Sequence, residues 1–126
     1  MNGKPRLLSM GCDKAMLETR NAVLRAAGFE VYSCLGADHY LDRIAAAPFD
    51  VVVVGDCVAP ARREQIAQSI RGLVPSMRIV MMYRCGDGGE ISRLADACIG
   101  SLDSPHSLIH AIWACLRRAQ AAPAGQ

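Results

Sequence analysis

Two dipeptides in this chain, Cys12-Asp13 and Asp56-Cys57, each set a thiol beside a carboxylate, and a third thiol, Cys85, opens the glycine-rich run Cys85-Gly86-Asp87-Gly88-Gly89. Soft thiolates with a neighbouring carboxylate suit Zn²⁺ or a thiol redox switch. The competing reading is that small side chains simply fill space. Six cysteines stand in the chain (Cys12, Cys34, Cys57, Cys85, Cys98 and Cys115) and none form a C-x-x-C pair, so the common zinc and thioredoxin spacings are absent and small buried apolar side chains are favoured. His106 and His110 are four apart and share a helix face, but no third ligand stands beside them, which favours a solvated surface. The glycine-rich run lacks the G-x-G-x-x-G and Walker patterns that cradle phosphate, and reads as a connection.

The elements that must position these residues alternate along the chain. Residues 6–10 read as a strand. Residues 14–27 read as a helix with Met16, Leu17, Val23 and Leu24 at helical spacing, Asp13 as N-cap and Gly28 as its stop. Residues 30–34 form a second strand, and 38–47 a second helix ended by Pro48. The four consecutive valines 51–54 predict a strand buried on both faces. A helix over 62–73 carries Ile66, Ile70 and Leu73. A strand over 78–82, a short helix over 90–94 and a weak strand over 97–99 follow. Ser104-Pro105 then opens a last helix with Leu108, Ile112, Cys115 and Leu116 toward the core.

Strands alternating with helices imply parallel pairing and right-handed crossovers. The expectation is an α/β fold: a flavodoxin-like, doubly wound, five-stranded parallel sheet of order 2-1-3-4-5, with helices on both faces. Residues 1–119 would form one domain and 120–126 a flexible tail. In such sheets function gathers at the carboxyl ends of the strands. Those ends are Gly11-Cys12-Asp13, Gly55-Asp56-Cys57, Tyr83-Arg84-Cys85 and Gly100-Ser101.

Composition narrows the function classes. The net charge of +2 and the aromatic share of 5% argue against a nucleic-acid surface. No apolar run reaches the length of a membrane span, and no secretory leader opens the chain, which places it in the cytoplasm.

The stretch Phe49-Asp50-Val51-Val52-Val53-Val54-Gly55-Asp56-Cys57-Val58-Ala59-Pro60 resembles the third strand and following turn of receiver domains from two-component response regulators. Ala26-Ala27-Gly28-Phe29-Glu30-Val31, Ala95-Asp96-Ala97 and the Ser104-Pro105 helix start fit the same family, over about residues 6–116. The resemblance implies phosphoryl transfer from a histidine kinase to an aspartate. That chemistry needs an acidic pair for Mg²⁺ after the first strand, a hydroxyl after the fourth and a lysine after the fifth. Here the acidic pair falls on Gly11 and Cys12, with Asp13 nearby. The hydroxyl position falls on Tyr83, the lysine position on Ser101, and the aromatic switch position on Cys98. The acceptor falls on Gly55 counted from Asp50 and on Asp56 counted from Pro60. One residue along a regular strand reverses the face, so the two cannot share a pocket while the strand stays regular.

The pattern is similar to atypical receivers that lack the phosphorylation residues. It implies a stand-alone module, not an enzyme and without a cofactor, that binds signalling proteins (a histidine kinase or a downstream regulator) or a second copy of itself. Candidate interface residues are Arg84, Arg93, His106, His110, Trp113 and Arg117, with a core role favoured for Trp113. Two alternatives remain. One is a working phosphoacceptor at Asp56 with Mg²⁺. The other is a metal or redox module built on Cys12, Cys57, Cys85, Asp13 and Asp56.

Overall fold

The computed structural model describes residues 3–36, 39–83, 94–100 and 104–121. Its elements are β1 (Arg6–Gly11), α1 (Lys14–Ala26), β2 (Glu30–Leu35), α2 (Tyr40–Ala46), β3 (Val51–Val54), α3 (Pro60–Leu73), β4 (Arg78–Tyr83), β5 (Ala97–Gly100) and α4 (Pro105–Ala121). The five strands form one sheet in the order β2-β1-β3-β4-β5, and every neighbouring pair is parallel. This is the expected flavodoxin-like topology.

Alternation along the strands divides the core into two layers. Leu8 and Met10, Val52 and Val54, Ile79 and Met81 pack on one face beneath Tyr40 and Ile44 of α2 and Ile66, Ala67 and Ile70 of α3. Leu7, Val51, Val53 and Val80 pack on the other beneath Leu24 of α1 and Leu108, Ile112 and Cys115 of α4. All four valines of β3 are fully buried, because both faces of the central strand are covered. Asp50 fixes the start of that strand: its carboxylate accepts from the Arg6 backbone N–H at 2.7 Å, and its own N–H donates to the Arg6 carbonyl at 2.8 Å.

Asp13 caps α1 by accepting from the Met16 N–H at 3.0 Å, and Gly28 turns the chain out of it at φ +104°. Several sequence expectations shift. Helix α3 starts at Pro60, because proline suits a first helical turn. Met16 and Leu73 are 68% and 47% exposed, so the core stripes run through Leu17, Asn21 and Leu24 in α1 and through Ile66, Ala67 and Ile70 in α3. Helix α4 continues to Ala121, past the expected start of the tail. Helix α2 starts at Tyr40, and the loop at 85–89, residue 38 and most of the helix expected over 90–94 lie outside the described residues.

At the outer edge of the sheet, Arg6 Nε lies 3.1 Å from Glu30, the Arg6 guanidinium donates to Tyr32 Oη at 3.0 Å, and Tyr32 donates to Glu30. The Tyr32 hydrogen bond first, then that from Arg6, holds the Glu30 carboxyl below its ordinary value. A depressed folded-state value gives a stabilising contribution that is present above the unfolded carboxyl's pKa and is lost as pH falls through the folded one. Urea midpoints measured against pH are expected to fall across that acidic interval, and less steeply in Glu30→Gln. An unchanged slope in the variant would remove this assignment.

Candidate functional site

Strands β1 and β3 are neighbours at the centre of the sheet, so the turns that leave their carboxyl ends meet. There Cys12 and Cys57 are joined by a disulfide with Cα atoms 6.0 Å apart. The sequence reading treated these cysteines as small space-fillers, soft metal ligands or a redox switch. It set both on the rim at the ends of neighbouring strands, and the structure joins them covalently across 45 positions. Cys34 and Cys115 are buried and Cys98 half-buried, in keeping with that reading, while Cys85 lies outside the described residues. A disulfide sulfur is no thiolate, so Cys12 and Cys57 leave the candidate zinc set. Among the described residues no three His, Cys, Asp or Glu side chains are grouped to hold a metal ion.

Behind the bridge a cleft of about 700 Å³ runs between α1 and α4. Gly11, Asp13, Arg20, Gly55 and Asp56 line its polar end, and Leu17, Leu24, Ile99 and Leu108 its apolar walls. Arg20 anchors the polar end. Its Nε and Nη2 donate to Ser9 Oγ at 3.2 and 2.9 Å, and Nη2 also donates to the Met10 carbonyl at 2.6 Å. Nη1 lies 3.2 Å from Met82 Sδ. Burial pulls the Arg20 pKa below the ordinary arginine value, and the negative charge of Asp56 works against that shift. Sequence reasoning missed Arg20. The signal was present: Arg20 lies three residues after Leu17 on the inward stripe of α1, opposite a serine in a central strand.

Gly55 follows the fully buried valines and is itself buried. A Cβ placed there would lie 2.6 Å from the Met10 carbonyl oxygen and 3.4 Å from Arg20 Nη1. The position that matches the acceptor by one count therefore has no room for any side chain. Asp56 is half-buried in the turn after β3 and lines the same cleft. The expected exclusion of Gly55 and Asp56 from a common pocket assumed a regular strand through both. Strand β3 ends at Val54, and the turn brings both to the cleft.

Mg²⁺ takes octahedral oxygen ligands, commonly one or two carboxylates with water, and the carboxylates at this end of the cleft are Asp13 and Asp56. Gly11 and Cys12 offer no carboxylate, Cys12 is bridged, one carboxylate oxygen of Asp13 is used capping α1, and a guanidinium already occupies the polar end. A second cation would meet the repulsion of Arg20 across a partly desolvated space.

The remaining candidates scatter. Tyr83 ends β4 half-buried, opposite Gly100, and Cys98 is half-buried in β5 against the α2/α3 layer. On α4, His106, His110 and Arg117 are exposed. Trp113 is half-buried and stacks on Phe29 with ring centroids 4.6 Å apart, which gives it a packing role. Ser101, Arg84 and Arg93 lie outside the described residues.

The fold has many solved counterparts. A response regulator receiver domain protein from Methanospirillum hungatei JF-1 superposes with a TM-score of 0.80 at 21% identity, over 94% of this chain and 98% of its own. A response regulator receiver domain from Clostridium thermocellum gives 0.82 at 17% identity, over 92% and 97%. The BeF3-activated receiver domain of DrrB gives 0.75 at 18% identity, over 91% and 99%. The chain has the receiver fold. No protein-family model and no curated protein matches its sequence. The cleft's polar end holds Arg20 and the Cys12–Cys57 disulfide. No described helix is long and apolar enough to cross a membrane.

Proposed function

We propose that this chain is a pseudo-receiver: a cytoplasmic signalling module of two-component type that acts by protein contact, without efficient aspartyl phosphorylation and without catalysis of its own. One observation carries the reading. At Gly55, one of the two positions that match the acceptor, an added Cβ would lie 2.6 Å from the Met10 carbonyl oxygen, and at Asp56, the other, the cleft is shared with the Arg20 guanidinium. A transferred phosphoryl group brings nearly two negative charges and needs a metal, a hydroxyl and an ammonium to offset them. Arg20 is one cation, with most of its donors committed to Ser9, Met10 and Met82. Contact with a histidine kinase, a downstream regulator or a second copy would use the outer face of α4, where His106, His110 and Arg117 are exposed.

Incubation with acetyl phosphate and Mg²⁺, followed by intact mass measurement, tests the reading. The mass is expected to stay unchanged. A gain of one phosphoryl group that disappears in Asp56→Asn would establish the phosphoacceptor instead.

A further inference from the structure

We propose that Cys12 and Cys57 form a thiol–disulfide exchange site, through which a dithiol reductant opens and an oxidant closes the polar end of the cleft. This goes beyond the reading above and does not depend on it, since it concerns the bridge and not the acceptor.

Four observations support it. The Cα separation of 6.0 Å lies within the range disulfides adopt without backbone displacement, so the bridge can form in the folded chain. The two sulfurs differ in access: Cys12 is exposed and Cys57 half-buried, so an incoming thiolate has one open target and one shielded leaving group. Cys57 precedes helix α3, whose N-cap Ala59 offers no side-chain acceptor to the first-turn N–H groups. The positive end of that helix favours a departing thiolate. Finally, the bridge links turns and not strands. β1 and β3 pair from Leu7 with Val51 to Met10 with Val54, all before the bridge, so opening frees the rim without dismantling the sheet. Cys115 is the contrast: buried at the α4 core, with burial pushing its thiol pKa up, it is inert.

The exchange runs in two displacements. A thiolate of the reductant attacks Cys12 Sγ. A mixed disulfide forms, the Cys12–Cys57 bond breaks, and its electron pair leaves on Cys57 Sγ, which takes a proton from water. The reductant's second thiol, after losing its proton, attacks its own sulfur in the mixed disulfide and releases Cys12 as a thiolate, which is protonated in turn. Two electrons and two protons pass from the dithiol to the chain, and the reductant ends as its own disulfide. Oxidation reverses both steps. Released, the Gly55–Val58 turn that carries Asp56 loses its tie to the α1 N-terminus.

The test uses the full chain, equilibrated with graded ratios of reduced to oxidised dithiothreitol, acid-quenched, alkylated with N-ethylmaleimide and mapped by peptide mass. Cys12 and Cys57 are expected to gain label together in one two-electron step within minutes. In parallel hydrogen exchange, amides of β1 and β3 should stay protected while those of residues 12–16 and 55–59 lose protection. In Cys12→Ser the paired step should vanish and Cys57 should label at every ratio. The wild-type titration decides even if that variant folds poorly. Two results would overturn the proposal: thiols that never pair in oxidised dithiothreitol, or a bridge that opens only when the whole sheet loses protection, which would make it a fixed staple. No phosphodonor is present, so neither result depends on whether Asp56 accepts phosphate.

Discussion

Replacing Gly55 by alanine is expected to lower the unfolding free energy by about 2–4 kcal/mol, and replacing it by aspartate is expected not to create a phosphate acceptor. The added Cβ would sit 2.6 Å from the Met10 carbonyl oxygen, inside any tolerated contact. That oxygen cannot give way cheaply. It accepts from the Gly55 N–H at 3.0 Å and from Arg20 at 2.6 Å, and it lies between two central strands whose pairing fixes its position. Overpacking and at least one weakened hydrogen bond therefore add. An aspartate at this position would bear the same steric cost and place its carboxylate against a guanidinium rather than a metal. Gly72 supplies the internal control: a Cβ there meets nothing within 4 Å, on an exposed turn of α3. Gly72→Ala should stabilise by about 0.5–1 kcal/mol, through helix propensity alone. Chemical denaturation of the two variants checks both signs, and a Gly55→Ala protein as stable as the parent would refute the steric argument.

Asp96 should be the second position of large effect. Its carboxylate accepts from Arg71 Nη2 and from the Ile79 N–H, each at 2.8 Å, and lies 3.6 Å from Arg78 Nη1. Arg71 also donates to the carbonyls of Leu94, Pro75 and Met77, so one guanidinium ties the end of α3 to the approach to β4 and β5. The Asp96 backbone joins in: its N–H donates to the Ile79 carbonyl at 2.7 Å and its carbonyl accepts from Arg118 at 3.2 Å. The Asp96 side chain is 19% exposed and Arg71 23%, so screening is incomplete and the loss strands two guanidinium groups and a backbone N–H. Asp96→Ala is expected to cost about 2–4 kcal/mol, somewhat below the loss of a fully buried pair. Asp96→Asn keeps an acceptor for the Ile79 N–H and should cost about half as much. Equal losses in the two variants would show that the charge is not what matters.

Both positions illustrate what could be read from sequence. The valine run, the alternating elements and the capping residues Asp13 and Ser104 are local signals, and strand order follows from them through handedness and burial. Ala95-Asp96-Ala97 was visible as a resemblance, but its work depends on Arg71 and Arg78, which reach it only once α3 packs beside β4. The site was legible as a set of strand ends and not as a geometry. Gly55 could be named, yet the pressure of the Met10 carbonyl against it comes from the pairing of β1 with β3. Arg20 was not singled out, because its partners Ser9, Met10 and Met82 meet it only once α1 packs on the sheet. The strand order put Cys12 and Cys57 on one rim, but no spacing rule says that two thiols 45 residues apart there come close enough to bond.

Taken together, the chain has the shape of a receiver, and the polar end of its cleft carries a guanidinium and a disulfide. On the proposed reading, the Arg20 guanidinium and the Cys12–Cys57 bridge share the polar end of the cleft with Asp13 and Asp56 and leave a divalent ion without a full oxygen set. A ligand that binds the folded chain and not the unfolded one stabilises it by RT ln(1 + [L]/Kd) and so raises its melting temperature. Melting curves with Mg²⁺, recorded with and without beryllofluoride, therefore measure the capacity of the cleft directly. The account predicts that, in the parent chain and in Asp56→Asn alike, adding beryllofluoride leaves the curve recorded with Mg²⁺ where it was. A Mg²⁺-dependent upward shift with beryllofluoride, lost in Asp56→Asn, would contradict it.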